Sequence, residues 1–254
     1  MVSVIMPSLN ANEYIEKAME SVACQTLSEP VELVVVDNGS KDGTKETVLR
    51  VQETWAKEYG DLRTVVCLDN PKRGVAGSRN MGMRASGGTY IAFLDADDWW
   101  DETKLEKQMA VMAEDPACKI CSTGRELVAA DGQPLGRSIP VKEYITLSDM
   151  EKQNHINCSS VLLEREIALK YPMDHDDSHE DYIMWLRIIK ECGYARAVNQ
   201  PLLKCRQSEA GKSRNKWKSA LMTWKVYRYV GYSVPKSVYC FLNYMLAGIR
   251  KYYG

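Results

Sequence analysis

Over the first hundred residues, short β-branched apolar runs alternate with stretches whose apolar residues recur at helical period. Val2 to Met6, Val31 to Val36, Arg63 to Leu68 and Tyr90 to Leu94 read as strands, and Ala11 to Cys24, Gly43 to Glu58 and Val75 to Ala85 as helices. That order is β-α-β-α-β-α-β. Right-handed crossovers then require a mostly parallel sheet with helices on both faces, an α/β class fold, and ligands are expected at the carboxyl ends of the strands. Asp101 to Glu114 continues as a helix, and Lys119 to Leu127 as a strand leading into the hairpin signal Asp131-Gly132. Residues 140 to 178 predict short elements and loops. Glu180 to Glu191 reads as a helix with a buried face, and two helices, roughly 214 to 231 and 235 to 252, form a C-terminal appendage.

Composition narrows the class further. The 254 residues are 45% apolar and 26% charged, the balance of a globular chain. The charge-free tract Ser237 to Ile249 falls short of the roughly 20 apolar residues a spanning helix needs. The opening Met1-Val2-Ser3-Val4-Ile5-Met6-Pro7 has no basic n-region or cleavage site, so a cytoplasmic location is expected. The eight cysteines read as reduced, several of them buried. Cys118-x-x-Cys121 has no second pair or His at ligand spacing, which argues against a zinc or redox role. His155, His175 and His179 show no mutual metal spacing either. Charge is divided unevenly: residues 204 to 254 carry eleven Lys or Arg against the single Glu209, while the preceding residues hold 22 basic and 33 acidic side chains. With seven of the fourteen tyrosines and Trp217, Trp224 and Phe241 in the same segment, an interfacial surface is favoured over a nucleic-acid site.

The turn after the first strand, Pro7-Ser8-Leu9-Asn10, contains no glycine, which excludes a dinucleotide fingerprint and a P-loop there. After the second strand, Asp37-Asn38-Gly39-Ser40-Lys41-Asp42-Gly43-Thr44 combines turn formers with helix-capping residues; Asp37 sits where a base or ribose would be read. Gly74-Val75-Ala76-Gly77-Ser78-Arg79-Asn80 is a helix start whose free amides, with Arg79, would attract an anion. The fourth strand runs into Asp95-Ala96-Asp97-Asp98. Three carboxylates in four residues repel one another and call for a compensating group. Oxygen-only ligands favour Mg²⁺ or Mn²⁺, ions held by one or two carboxylates together with substrate phosphates.

In this order, Ser3 to Pro7 with Asn10, Asp37 to Thr44, Gly74 to Asn80, Asp95 to Asp98 and His179-Glu180-Asp181 resemble a family 2 glycosyltransferase of the GT-A fold. The C-terminal part is similar to bacterial enzymes of teichuronic acid and capsular polysaccharide assembly. The resemblance implies a domain over 1–213, with a nucleotide-binding half 1–125 and an acceptor half 126–213, followed by basic aromatic helices over 214–254. It implies that Pro7, Ser8, Asn10 and Asp37, with Asn38 beside them, hold the nucleoside of a nucleotide-sugar donor. Arg79 lies near the diphosphate, Asp95 contacts the ribose region, and Asp97, with Asp98, holds the metal. Asp181 is the general base with Glu180 beside it, and Arg206 and Ser213 are donor-site candidates. Two positions depart from the family pattern: Asn38 stands where many relatives have a second acid, leaving the base identity open, and Cys205-Arg206-Gln207-Ser208 lacks the late His.

The implied reaction moves a sugar, with inversion, to a hydroxyl of a cell-envelope glycan or lipid-linked acceptor. A carboxylate that takes the hydroxyl's proton contributes typically 10²–10⁴-fold. The C-terminal helices are expected either to lie on the inner face of the cell membrane or to pack as an arm that closes the domain or pairs two copies in a homodimer. Two rivals remain: a non-catalytic nucleotide-sugar or membrane-surface binding protein of the same fold, and a sugar-nucleotide nucleotidyltransferase. The latter needs a glycine-rich basic loop that Pro7 to Tyr14 lacks.

Overall fold

A computed structural model of the chain describes residues 1–72, 74–207 and 216–253. Its first part follows the expected alternation: β1 (Val2–Ser8), α1 (Ile15–Ala23), β2 (Val31–Asp37), α2 (Thr44–Glu58), β3 (Arg63–Asp69), α3 (Val75–Ala85) and β4 (Tyr90–Phe93). The next elements are β5 (Trp99–Trp100), α4 (Lys104–Glu114), β6 (Ile120–Val128), β7 (Pro134–Ile139), β8 (Tyr144–Thr146), α5 (Leu147–Lys152), β9 (Leu162–Glu164) and α6 (Arg165–Lys170). The last are α7 (Glu180–Cys192), β10 (Tyr194–Arg206), α8 (Lys216–Tyr229) and α9 (Val234–Tyr253).

The sheet order is β3-β2-β1-β4-β9-β6-β10-β5, with β7 on β6 and β8 on β10. β1 to β4 are parallel, in the register Ile5 to Val34 and to Phe93. β9 runs antiparallel to both β4 and β6, and β10 runs parallel to β6. Six strands therefore share one direction, and their carboxyl ends face one side. The hairpin between β6 and β7 closes as expected, with Gly132 donating to the Ala129 carbonyl at 2.9 Å.

Because successive side chains alternate across a strand, each apolar run feeds two cores. Val2, Val4, Met6, Leu33 and Val35 meet Ile15, Met19 and Val22 of α1, Val48 and Trp55 of α2 and Leu105 of α4 on one face. On the other, Ile5, Val34, Val36, Ile91 and Phe93 meet Met83 of α3, Ile167 of α6 and the nearly all-buried α7, where Trp185 lies 6.1 Å from Phe93. Gly82 lets α3 approach β1 closely: a Cβ there would stand 2.5 Å from Ile5 Cγ2.

β10 is the element the sequence pattern did not disclose. Asn199-Gln200-Pro201 interrupts it, and its register with β6 shifts between Val198 and Leu203, so no continuous periodicity marks it. It is nevertheless the strand that brings Arg206 beside the acidic turn. The cysteines are all unpaired. Burial pushes the thiol of Cys118 up and that of Cys121 up to about 12, the opposite of what a metal-binding or redox thiolate needs.

Lys104, at the start of α4, is fully buried, donating to Gln108 Oε1 at 2.8 Å with its Nζ 3.8 Å from the centroid of the Trp100 ring. Burial pushes its pKa down to about 7. An unfolded lysine titrates near 10.4, so between these values the unfolded chain binds a proton that the folded chain lacks. The contribution of Lys104 to stability accordingly falls as pH drops from about 10 to 7 and is constant below. Lys104→Met is expected to remove that slope and to raise unfolding free energy at pH 7 by roughly 2 kcal/mol, checked by urea unfolding at pH 7 and pH 9.5.

Candidate active site

Four loops at the carboxyl ends of the shared-direction strands build the site. The turn after β1 is locked onto the loop after β2. Asn10, at φ 50°, donates its N–H to Ser40 Oγ and accepts from Lys41 N, each at 2.9 Å, and Ala11 N donates to Thr44 Oγ1 at 2.8 Å. Asp37 turns inward: its carboxylate accepts from Gly39 N, Ser40 N, Ser40 Oγ and, at 3.4 Å, Ser8 Oγ. Asn38, one residue on, lines the cleft instead. Its Oδ1 accepts from Asn70 Nδ2 at 3.0 Å and Ser78 Oγ at 2.7 Å, so the group it has left to offer a ligand is its amide N–H₂.

The helix start at Gly74 is capped from within the chain. Asp176 Oδ1 accepts from Ala76 N at 2.9 Å, and a Cβ on Gly74 would meet Asp176 Oδ2 at 2.3 Å. The anion expected at these amides is thus the chain's own carboxylate.

The three acids after β4 stand in three different environments. Asp95 accepts from Arg79 Nη2 at 2.6 Å, and the other arm of the same guanidinium donates to Glu180 Oε1 at 3.0 Å. Arg79 is buried; burial works against its charge, but Cys158, Asp95, Glu180 and Asp181 around it raise its pKa above the ordinary arginine range. Asp98 is buried as well, accepts from Arg206 N at 2.9 Å, and is pushed well above the carboxylate range by burial and by Asp95 and Asp97. Asp97 lines the cleft, and burial, then Asp95, pushes its pKa up. Among the described residues Asp95 is the one of the three in an ion pair, and of the other two it is Asp97 that lines the cleft.

The turn is held rigidly. Asp98 N donates to the Asp95 carbonyl at 3.1 Å, Asp95 N to Ser159 Oγ at 3.1 Å, and Arg206 Nε to the Asp97 carbonyl at 3.0 Å. The Arg206 guanidinium lies 4.3 Å from the centroid of the Tyr14 ring and 5.2 Å from that of Trp99. It braces the turn from behind rather than lining the cleft.

A cleft of about 620 Å³ gathers Pro7, Ser8, Asn10, Asn38, Arg79, Asp95, Asp97, Glu180 and Asp181. Asp37, Asp98 and Arg206 support its walls, and Ser213 lies outside the described residues. Glu180 and Asp181 open α7, where a helix N-terminus favours negative charge, and Asp181 Oδ1 accepts from Tyr182 N at 2.8 Å. Tyr14, Asn157, Cys158 and His179 also line the cleft, and of these only His179 stood within a motif of the sequence, without a site role. Tyr14 was absorbed into the α1 pattern, and Asn157 and Cys158 lie in a loop without a motif. His179, beside the two acids, was the one with a usable signal. Among the described residues, no group of three His, Cys, Asp or Glu side chains is close enough to hold a metal by itself.

The model of glycosyl transferase family 2 matches residues 3–170. The chain belongs to glycosyl transferase family 2. Similar relatives span its whole length. TuaG of Bacillus subtilis (strain 168), named as a glycosyltransferase of teichuronic acid biosynthesis, is 36% identical over 253 residues, covering 99% of this chain and 97% of the relative. WfgD of Escherichia coli, named as a UDP-Glc:α-D-GlcNAc-diphosphoundecaprenol β-1,3-glucosyltransferase, is 32% identical over 256 residues, covering 99% and 95%. The mannosyltransferase PcManGT of Pyrobaculum calidifontis, solved with GDP-Man and Mn²⁺, superposes with a TM-score of 0.67 at 20% identity, covering 100% of this chain and 76% of that one. The protein is therefore a family 2 glycosyltransferase, and its fold is GT-A, as its motifs implied.

Proposed function

We propose that this glycosyltransferase moves a sugar, with inversion, from a nucleoside diphosphate donor to a hydroxyl of a lipid-linked cell-envelope glycan at the cytoplasmic face of the membrane, assisted by Mn²⁺ or Mg²⁺. The observation that carries it is the convergence of Asp97 and of Asp181, at a helix start, in one cleft at the strand ends. The names of TuaG and WfgD support the envelope glycan, and that of WfgD the lipid-linked diphosphate.

The donor set suits a hard divalent ion. Asp97 offers carboxylate oxygens at the cleft and, among the described residues, forms no ion pair, and Mg²⁺ and Mn²⁺ bind through one or two carboxylates completed by phosphates and water. Once bound, the ion supplies positive charge where the departing diphosphate develops its negative charge. Asp97 holds it, with Asp98 fixing the turn. Asp95, steadied by Arg79, faces the ribose side. Pro7, Ser8, Asn10 and Asn38 hold the nucleoside in the half 1–125, with Asp37 shaping the loop, while 126–213 takes the acceptor. Asp181 accepts the proton of the attacking hydroxyl as the anomeric C–O bond to diphosphate breaks and the new one forms on the opposite face.

Thermal unfolding with a panel of nucleotide sugars tests this, with and without Mn²⁺. A donor at 100 times its dissociation constant adds roughly 2.7 kcal/mol. The expected result is a stabilisation by one donor that EDTA abolishes and Mn²⁺ restores. Asp97→Ala is expected to lose that metal-dependent shift and to lower transfer on the order of 10²–10³-fold. A shift indifferent to metal, or an unaffected Asp97→Ala variant, overturns the assignment.

A further inference from the structure

We infer that the outer face of α8 and α9 lies on an anionic lipid surface, in the plane of the bilayer, beside the acceptor side of the cleft. α9 buries Ser237 and Cys240 against the body and turns Val234, Val238, Leu242, Met245 and Leu246 outward; Leu242 and Leu246 are 57% and 56% exposed. These positions recur every three or four residues, so they form a single stripe, uninterrupted by charge from Ser237 to Ile249. α8 continues it. Trp217 is 86% and Leu221 57% exposed, and Trp224 joins the two helices through an edge contact with Phe241 at 5.8 Å. A contiguous apolar strip of this kind marks an interaction surface.

Its occupant is indicated by charge. The two helices carry seven Lys or Arg and no Asp or Glu. Their formal charge is thus positive, and Lys225 and Lys236 reach Asp177 and Glu151 of the body, each at 2.6 Å. A second copy laid on this face by two-fold symmetry would set those cations against themselves. An anionic headgroup layer accepts both the apolar stripe and its positive fringe. No helix among the described residues is long and apolar enough to cross a membrane, so the stripe would rest on the surface. Placement suits the proposed acceptor. Ser219 Oγ of α8 lies 3.4 Å from Nε2 of His179, a cleft residue immediately before Glu180 and Asp181.

Co-sedimentation with vesicles of phosphatidylcholine alone and of phosphatidylcholine with a quarter phosphatidylglycerol tests this without donor or metal, so failure would leave the transferase assignment standing. The protein is expected to bind the anionic vesicles at least about tenfold more strongly, with binding weakened by 0.5 M salt. The double variant Leu242→Glu, Leu246→Glu should lose that binding while its melting temperature stays unchanged; Trp217→Ser, at the other end of the stripe, should weaken it separately. Equal binding to both vesicle types, or full binding by the variants, overturns the inference. So does a stable dimer in solution that the same double variant splits while vesicle binding is absent.

Discussion

Asp181→Asn is expected to lower the turnover number 10²–10⁴-fold while leaving donor binding intact. The substitution keeps the shape of the side chain and its acceptor for Tyr182 N, but an amide cannot take the proton of the attacking hydroxyl. Donor-induced thermal stabilisation should match that of the unaltered protein, which separates loss of a base from loss of a fold. Glu180→Gln provides the contrast. Glu180 is 6% exposed and paired with Arg79, so its change should act mainly on stability. Near-normal turnover by Asp181→Asn would remove it from the base role, whereas donor-induced stabilisation with no turnover by the unaltered protein would favour a protein that binds donors without transfer.

Arg79→Met is expected to cost about 3–5 kcal/mol of stability, because it removes a buried guanidinium that pairs with two carboxylates at once. For a chain of this size each kcal/mol corresponds to roughly 2–4 °C, so the melting temperature should fall by about 10 °C. Adding Glu180→Gln removes one of the two acids that face the lost guanidinium and should recover part of the loss. Independent, additive effects of the two substitutions would show that the guanidinium does not join α3 to α7 as the distances indicate. Beyond stability, this clamp spans 101 residues of sequence and sets Asp95 against Glu180 across the cleft.

Much of the architecture was legible because one physical signal carried it. Periods of two and 3.6 in apolar residues place β1 to β4 and α1 to α3 within a few residues of where they stand, since each strand must feed two cores and each helix one. β10 was not legible, as a proline and a register shift break its pattern and its support comes from β6, some seventy residues earlier. At the site, the motif positions fell where strands end, but the roles divided differently from their order along the chain. Asp37 was the conspicuous residue and became the brace of its own turn; Asn38 took the wall.

The sequence by itself determined the alternation, the face on which strands end, and the acids that accumulate there, because these depend on local period and on the direction of crossovers. Only the tertiary structure decided which of Asp95, Asp97 and Asp98 is paired, which is buried and which lines the cleft. That depends on partners distant in sequence: Arg79, 16 residues from Asp95, takes one acid, and Arg206, 108 residues from Asp98, donates its backbone N–H to another that is buried. Electrostatic roles follow from burial and proximity, and neither is encoded in a four-residue motif.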